Sequence, residues 1–212
     1  METKLEEDSA RVRAKREQIL AGAQRVFLHE GFAAASTDTL AREAGVSKRT
    51  LYAYYPSKEE LFADVLRTLT IEHPQLRILD FIRGIEPHSS DELRIALIKL
   101  AGKALSVLMN PEYLALMRTI IADSHRFPQL AELVRSTVPE IALREVGAML
   151  QRAQTNGIAI QSDPDILARL FIGPLLSYVL LDGLLRPESQ LPSLEKIEEI
   201  VDLVMKALLK DA

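Results

Sequence analysis

The densest group of cationic and hydroxyl-bearing side chains lies in one short stretch, VSKRTLYAYYPSKEELF, at residues 46–62. It contains three of the five tyrosines of the chain, the adjacent pair Lys48 and Arg49, and Lys58. Cations and hydroxyl groups are the side chains that most often contact the phosphates and base edges of nucleic acids. This stretch is therefore the first candidate for a nucleic-acid contact.

Local signals place the stretch in two short helices joined by a tight turn. Ser36 or Thr37 can cap a helix that ends at Gly45, and Ser47 can cap the next helix, which Pro56 ends. The apolar spacing predicts a longer preceding helix over residues 13–30, with Gly31 as its C-cap. Two short helices after a longer one are typical of the helix-turn-helix motif.

The third helix is predicted to have one packing face and one exposed face. At about 100° per residue, Leu51 and Tyr55 share the side that would face the core. Arg49, Tyr52 and Ala53 lie on the opposite arc. A cationic first turn on that arc suits a recognition helix that contacts base edges in the major groove.

The segment TDTLAREAGVSKRTLYAYYPSKEELFADVL resembles the helix-turn-helix of the TetR family of one-component repressors, and the match covers about residues 13–67. Tyr55 stands where the family usually has Phe, and Ala53 offers no hydrogen bond. The resemblance implies that the following residues contact DNA: Thr37, Ser47, Lys48, Arg49, Thr50, Tyr52, Tyr54 and Lys58.

These residues also have structural interpretations. Thr37 and Ser47 are suitable helix caps, the tyrosines are suitable half-buried packing residues, and a Lys-Arg pair is often no more than a solvated face. What favours DNA contact is that the caps, the turn glycine, the cations and the tyrosines occur together in the order of the motif.

The charge distribution agrees with a polyanionic partner. The net charge is −4, yet residues 9–58 carry nine Lys and Arg against four Asp and Glu. A basic block joined to an acidic remainder indicates a module that faces nucleic acid.

Composition also bears on the compartment. Cysteine is absent, which excludes disulfides, thiolate zinc sites and Cys nucleophiles. The charged N-terminus lacks the apolar core of a signal peptide. The most apolar run, Leu170 to Leu185, is interrupted by Pro174 and Asp182 and is shorter than the ~20 residues of a membrane helix. The sequence therefore predicts a cytoplasmic protein with no membrane partner.

The whole chain is predicted to be all-α. A three-helix helix-turn-helix DNA-binding domain, residues 10–57, precedes a helical ligand-binding and dimerisation domain, residues 58–212. In the second domain, periodicity and Pro or Gly breaks predict helices at 58–83 with a bend near Pro74, at 90–109, 111–126 and 139–155, a long helix from Asp163 to Leu185, and a last helix at 193–210.

The last two helices are predicted to form a homodimer interface. The final helix has an a/d seam, and the helix before it is apolar nearly all round, which favours burial on every side. The resemblance implies that these two helices of each subunit make a four-helix interface, and two half-sites ~34–36 Å apart in a palindromic operator require such a dimer. The alternative is that both helices complete a monomeric core. The predicted interface residues are Leu175, Tyr178, Leu194, Ile197, Val201, Val204 and Leu208.

The second domain is also expected to bind a small-molecule effector. The segment NPEYLALMRTIIADSHRFPQLAELV resembles an AefR-like subgroup of the family, whose C-terminal part is the inducer domain. A mixture of Met and aromatic residues favours an apolar ligand, although each residue can equally be plain core. The candidate lining residues are Met109, Tyr113, Met117, Ile121, His125, Phe127, Met149, Phe171 and Tyr178.

No enzyme class is favoured by the sequence. It contains no G-x-S-x-G, P-loop, H-E-x-x-H or dinucleotide-binding fingerprint, and its histidines are too scattered for a metal site. No cofactor is predicted. A purely structural helical oligomer would explain the seam but not the basic block or the motif. The sequence therefore predicts a ligand-responsive, sequence-specific repressor that binds double-stranded DNA.

Overall fold

The computed structural model describes residues 2–70, 77–125 and 128–209. Within these ranges the chain is helical without a strand, as predicted, and one isolated bridge joins Ala159 to Leu209. The helices are α1 Glu2–Ala34, α2 Thr37–Glu43, α3 Lys48–Tyr54, α4 Lys58–Leu69, α5 Ile78–Arg83, α6 Ser90–Leu108, α7 Pro111–Asp123, α8 Pro128–Thr137, α9 Pro139–Thr155, α10 Pro164–Tyr178 with a π-helical continuation Val179–Leu184, and α11 Leu194–Leu208.

The predicted helix over residues 58–83 is two helices, α4 and α5, in the structure. The expected bend at Pro74 lies outside the described residues, as does the predicted end of the last helix at Lys210.

The helices form two compact units. The first comprises Met1–Arg67 with Ala115–Val134, and the second comprises Thr68–Leu114 with Arg135–Ala212. A boundary between functional domains at residues 57 and 58 stays a prediction.

The helix-turn-helix of the first unit is built by two serine caps and one glycine. Ser36 caps α2 by accepting from the backbone N–H of Thr39 at 3.0 Å, which decides between Ser36 and Thr37. Gly45 then adopts a φ of 63°, a left-handed conformation that favours glycine. Its N–H bonds to Arg42 O, and the next N–H bonds to Ala41 O, both at 3.0 Å, as in a Schellman motif.

Small residues let α1 and α2 cross at very short range. A Cβ at Gly22 would lie 2.5 Å from the Cα of Ala44, so no larger residue fits without moving the backbone. The first long helix is interrupted at Gly31, the predicted C-cap, where φ is 78°, and α1 continues beyond this kink to Ala34. The helix begins at Glu2, earlier than the predicted residue 13.

The core of the first unit confirms the predicted packing face of α3. Leu51 is 2% and Tyr55 5% exposed. Beside them the rings of Phe27, Phe32 and Phe62 form a cluster with centroids 4.9–6.0 Å apart. Edge-to-face and offset aromatic contacts of this kind stabilise a small core beyond the area they bury.

The second unit is a helical bundle with one continuous core. The core joins residues of α5, α6, α9, α10 and α11, among them Ile82, Leu97, Met149, Phe171 and Val201. The N-terminus of α10 is as predicted, with Asp163 accepting from the N–H of Asp165 at 2.9 Å and Pro164 in the first turn.

The helix that contains the most apolar run is longer than the run itself. It extends over Pro164–Leu184, 21 residues, and by length and composition alone is sufficient to cross a membrane. The predicted exclusion on length is therefore wrong, because the helix begins six residues before Leu170. One third of its most apolar window is buried, and Leu167, Phe171 and Leu175 on that side pack in the core of the second unit.

We expect Gly22→Ala to destabilise the protein and Gly102→Ala to stabilise it. Both glycines lie inside helices, but a Cβ at Gly102 would meet nothing within 4 Å. The first change overpacks a helix crossing at a cost of about 1–3 kcal/mol, whereas the second gains up to about 1 kcal/mol of helix propensity. Denaturant melts of both variants test this, and equal effects would contradict the close crossing.

Candidate DNA-binding surface and ligand cavity

The exposed arc of α3 presents the side chains that the sequence assigns to base reading. Lys48 and Arg49 are exposed, and Tyr52 is 50% exposed although it is a large ring. Among the described residues Arg49 makes no ion pair. The arc therefore offers one guanidinium and one phenol to a partner, and both are suited to the edges of DNA bases or to phosphates.

Lys48 is already paired within the helix-turn-helix. Its Nζ lies 2.6 Å from Oδ1 of Asp38 on α2, and both side chains are largely solvated. An exposed pair of this kind contributes little to stability. Its consequence is electrostatic, because Asp38 neutralises one of the cations that a phosphate would meet.

The hydroxyl groups at the helix N-termini are used as caps. Ser47 Oγ accepts from the N–H of Thr50 at 3.0 Å and lies 2.9 Å from Thr50 Oγ1. Thr37 is the first residue of α2, and both Thr37 and Tyr54 are partly buried. Whether these four residues also contact DNA stays a prediction.

Lys58 has a structural role that the sequence did not indicate, because it hydrogen-bonds backbone carbonyls of the first unit. Its Nζ donates to the backbone oxygens of Phe32 at 2.8 Å and Ala35 at 3.0 Å, and it lies 4.4 Å from the centroid of the Phe32 ring. Burial lowers the pKa of its ammonium below the ordinary lysine value. Lys58 thus binds carbonyls at the end of α1, and a phosphate would have to share the remaining donor of this ammonium.

A buried polar network holds the end of the recognition helix. Asp64 on α4 accepts through one carboxylate oxygen from Arg16 at 2.5 Å and from the hydroxyl of Tyr55 at 2.9 Å. Its other oxygen accepts from Arg67 at 2.7 Å, and Arg16 Nε also donates to the Tyr55 hydroxyl at 3.2 Å. The network joins α1, the residue after α3, and α4.

The pKa values follow from this arrangement. Burial would raise the pKa of Asp64, but hydrogen bonds from Arg16, Tyr55 and Arg67 outweigh it and hold the pKa below its usual value. Burial raises the pKa of Tyr55 to about 12, against the opposing hydrogen bond from Arg16. The carboxylate is therefore ionised and the phenol neutral at physiological pH.

Sequence reasoning missed this network. The available signal was Tyr55, which has a hydroxyl where the resembled family usually has Phe. A buried hydroxyl calls for a partner, and the partners lie 9 residues away at Asp64 and 39 residues away at Arg16.

An apolar cavity lies within the second unit. It has a volume of about 380 Å³, within the size range of small-molecule sites. Its wall is mostly aliphatic, with one phenol and one guanidinium. The lining residues are Leu108, Tyr113, Val138, Pro139, Ala142, Leu143, Arg169, Ile172, Gly173 and Leu176.

Of the predicted ligand-binding residues, Tyr113 lines this cavity. Met109, Met149 and Phe171 are buried core residues of the same unit. Tyr178 is partly buried and borders a separate surface groove with Asp182 and Lys196.

Three other predicted ligand-binding residues belong to the first unit. Met117 is partly buried there, whereas Ile121 and His125 are exposed. Phe127 lies outside the described residues. The sequence missed the cavity wall of α9 because Val138, Pro139 and Ala142 carry no distinguishing chemistry.

The predicted dimer seam packs inside its own chain. Ile197, Val201, Val204 and Leu208 are 0–6% exposed and belong to the core of the second unit, and Leu175 is buried with them. In the single chain these five side chains therefore expose almost no surface, and their place in a dimer interface stays a prediction. Among the predicted interface residues, Leu194 is exposed and Tyr178 partly exposed.

Large aliphatic side chains are also exposed on α10, on its π-helical continuation and on α11. On α10, Ile166 and Leu170 share one exposed side with the small residues Gly173 and Ser177. We call the exposed leucines and isoleucine of these helices the apolar face. They are Ile166, Leu170, Leu176, Leu180, Leu181, Leu194 and Leu203.

No group of three or more His, Asp or Glu side chains in the described part of the chain is arranged to hold a metal ion.

Comparison with known proteins gives the family. Residues 19–65 match the family model of bacterial regulatory proteins of the tetR family, and residues 95–210 match that of the AefR-like transcriptional repressor C-terminal domain. The second match covers more than half of the chain. The protein therefore belongs to the TetR family of transcriptional regulators, with an AefR-like C-terminal part.

Individual relatives agree with this assignment. The solved structure of the flavonoid-responsive regulator FrrA is 32% identical, with 94% of this chain and 99% of that chain covered and a TM-score of 0.65. The nucleoid occlusion factor SlmA of Sodalis glossinidius is 31% identical over 162 residues, 74% of this chain and 76% of SlmA. The activator FasR of Mycolicibacterium smegmatis is 45% identical over 53 residues, which span 25% of this chain and 24% of FasR. FrrA and FasR are named as a regulator and a transcriptional activator, and none of the three is named as an enzyme.

We expect Asp64→Asn to lower stability at neutral pH, by about 1–3 kcal/mol, because it removes a buried charged acceptor with three donors. Since the folded pKa of Asp64 is depressed, its contribution is present above the ordinary Asp pKa of about 3.9 and is lost as pH falls further. The difference in melting temperature from wild type should therefore shrink below about pH 4. Asp202→Asn, which breaks an exposed pair with Arg94, is the matched control and should change little. A difference in melting temperature that grows as pH falls would contradict the assigned hydrogen bonds of Asp64.

We expect Asp38→Asn to strengthen binding to random DNA. The change frees Lys48 and removes a negative charge beside it, so the slope of log affinity against log salt should steepen by about one unit per subunit. Filter binding at several salt concentrations measures the slope, with Asp91→Asn on α6 as a control of equal charge change. Weaker binding would show instead that Asp38 orients Lys48 for its contact.

Proposed function

We propose that this protein is a homodimeric, ligand-responsive repressor that binds a palindromic operator and is released by a small, largely apolar effector. The observation that carries the proposal is the division of α3. Leu51 and Tyr55 are held in the core while Lys48, Arg49 and Tyr52 face outward. A short helix anchored on one side and cationic on the other is suited to the major groove.

The operator is proposed to be palindromic because the protein pairs two copies of this helix. The apolar face supports a dimer, since several large aliphatic side chains exposed on adjacent helices mark an interaction surface. The family resemblance favours the last two helices as the interface. In this chain the exposed leucines and isoleucine supply it, rather than the buried seam.

The response to an effector is proposed to act through α10. One side of this helix lines the cavity with Arg169, Ile172 and Leu176, and another side carries Ile166 and Leu170 of the apolar face. A ligand that prefers one arrangement of α10 therefore changes how two subunits pair. The change in operator affinity is then limited by how much more tightly the ligand binds one arrangement of α10 than the other.

The relatives support regulation, and the names that state a direction are a repressor for the matched C-terminal family and an activator for FasR. FrrA is named as flavonoid-responsive, which agrees with a small-molecule effector, and FasR is named as an activator. Activation is therefore the second candidate. We place the protein in the cytoplasm, with DNA and without a membrane partner, because the buried side of α10 belongs to the core.

A gel shift with the DNA that flanks the protein's own gene tests the operator. We expect saturable, salt-sensitive binding that survives excess random DNA, with two chains per site in sedimentation. Reporter transcription from the same DNA distinguishes repression from activation. Binding that random DNA removes equally well would contradict sequence-specific regulation.

We expect Leu203→Glu to dissociate the dimer. Leu203 is 60% exposed in the single chain, so the change leaves the fold intact but places an unpaired carboxylate in the proposed interface. A buried unpaired charge costs several kcal/mol, which raises the dimer dissociation constant by about a hundredfold or more. Ile95→Glu, at 49% exposure on α6, is the matched control. Sedimentation at micromolar concentration decides, and an unchanged dimer in both variants would exclude this interface.

A further inference from the structure

The wall of the cavity contains one buried polar group that the fold does not use. Tyr113 lines the cavity and is 6% exposed. Its backbone N–H bonds to Asn110, but its hydroxyl has no hydrogen-bond partner among the residues that the structure describes. Burial raises the pKa of this phenol to about 12, so it is neutral at physiological pH and can both donate and accept.

An unpaired buried hydroxyl is unfavourable for the protein alone. Most buried polar atoms have a partner, and leaving one unpaired costs about 1–3 kcal/mol. Phenylalanine would fill the same space without that cost. The hydroxyl is therefore accounted for if it bonds to a molecule in the cavity.

The remainder of the wall limits what that molecule is. Leu108, Val138, Leu143, Ile172 and Leu176 are aliphatic and favour a hydrocarbon surface. The other polar side chain, Arg169, is 63% exposed at its side chain and donates Nε–H to Asp165 at 2.7 Å. A guanidinium has five N–H donors, so Arg169 can also meet an anionic end of a ligand.

We propose that the cavity binds an aliphatic molecule with a single oxygen function, and that Tyr113 is the residue that hydrogen-bonds this oxygen. The assignment rests on the proposed effector site and names its chemistry. A neutral alcohol and a carboxylic acid both have an oxygen that Tyr113 can hydrogen-bond. Only the acid, as a carboxylate, would also form an ion pair with Arg169.

The test uses octan-1-ol and octanoate as probes with the full-length protein, by isothermal titration. We expect both probes to bind wild type, and Tyr113→Phe to weaken both by about three- to tenfold, the range for one hydrogen bond. Thr155→Val removes an exposed hydroxyl of α9 outside the cavity and should leave both affinities unchanged. A preference for octanoate that Arg169→Gln abolishes identifies an acid as the ligand type, and a preference for octan-1-ol identifies a neutral molecule.

A second readout separates binding from structure. Because Tyr113→Phe removes an unpaired hydroxyl, the melting temperature of the protein without probe should stay equal or rise. A lower melting temperature with unchanged probe affinity would overturn the proposal, as would failure of both probes to bind wild type.

The proposed function is tested separately from the cavity. If octan-1-ol binds through Tyr113 but leaves operator affinity in the gel shift unchanged, the effector role fails and the ligand assignment stands. If operator binding is absent altogether, the titration still decides the chemistry of the cavity.

Discussion

The carboxylate of Asp64 is the interaction on which the DNA-binding surface depends. The recognition helix has only 7 residues, which is too short to be stable by itself, so its orientation comes from packing and from its ends. Its N-terminus is held by the Ser47 cap, and the residue after its C-terminus, Tyr55, donates to Asp64. Arg16 bonds to the same carboxylate and thereby ties this end of α3 to α1. Arg49 and Tyr52 point to solvent because Leu51 and Tyr55, on the opposite side, are held in the core.

The same surface shows how cations are divided between folding and binding. Lys58 binds the carbonyls of Phe32 and Ala35, and Lys48 is paired with Asp38. Arg49 is the cation on α3 without an ion pair among the described residues. The number of cations in the sequence therefore overstates the positive charge that is immediately available to phosphates. A phosphate contact by Lys48 would require exchange of its partner Asp38, and one by Lys58 would use its remaining donor.

Much of the fold could be predicted from sequence because its signals are local. Helix caps, the turn glycine and the period of apolar residues each act over a few positions, and they located α2, α3 and the start of α10. What could not be predicted depends on distant residues. The partners of Tyr55, the carbonyls bound by Lys58 and the unpaired hydroxyl of Tyr113 have no local signature. Periodicity also shows that Ile197, Val201 and Val204 share a face, but not whether that face meets its own chain or a second copy. The structure shows that it meets its own chain, which moves the proposed interface to the exposed residues beside it.

The central claim is that one side of α3 packs while the other reads DNA, and a single selection experiment tests it most directly. Site preferences from a random DNA pool and melting temperatures are measured for Arg49→Ala, Tyr52→Phe and Tyr55→Phe at fixed salt. The account predicts that Arg49→Ala relaxes the consensus symmetrically in both half-sites, with a loss of about 1–3 kcal/mol of discrimination and an unchanged melting temperature, and that Tyr52→Phe does so more mildly. Tyr55→Phe should lower the melting temperature and keep the consensus. The reverse pattern, with Arg49 and Tyr52 affecting stability and Tyr55 affecting preference, would contradict the account.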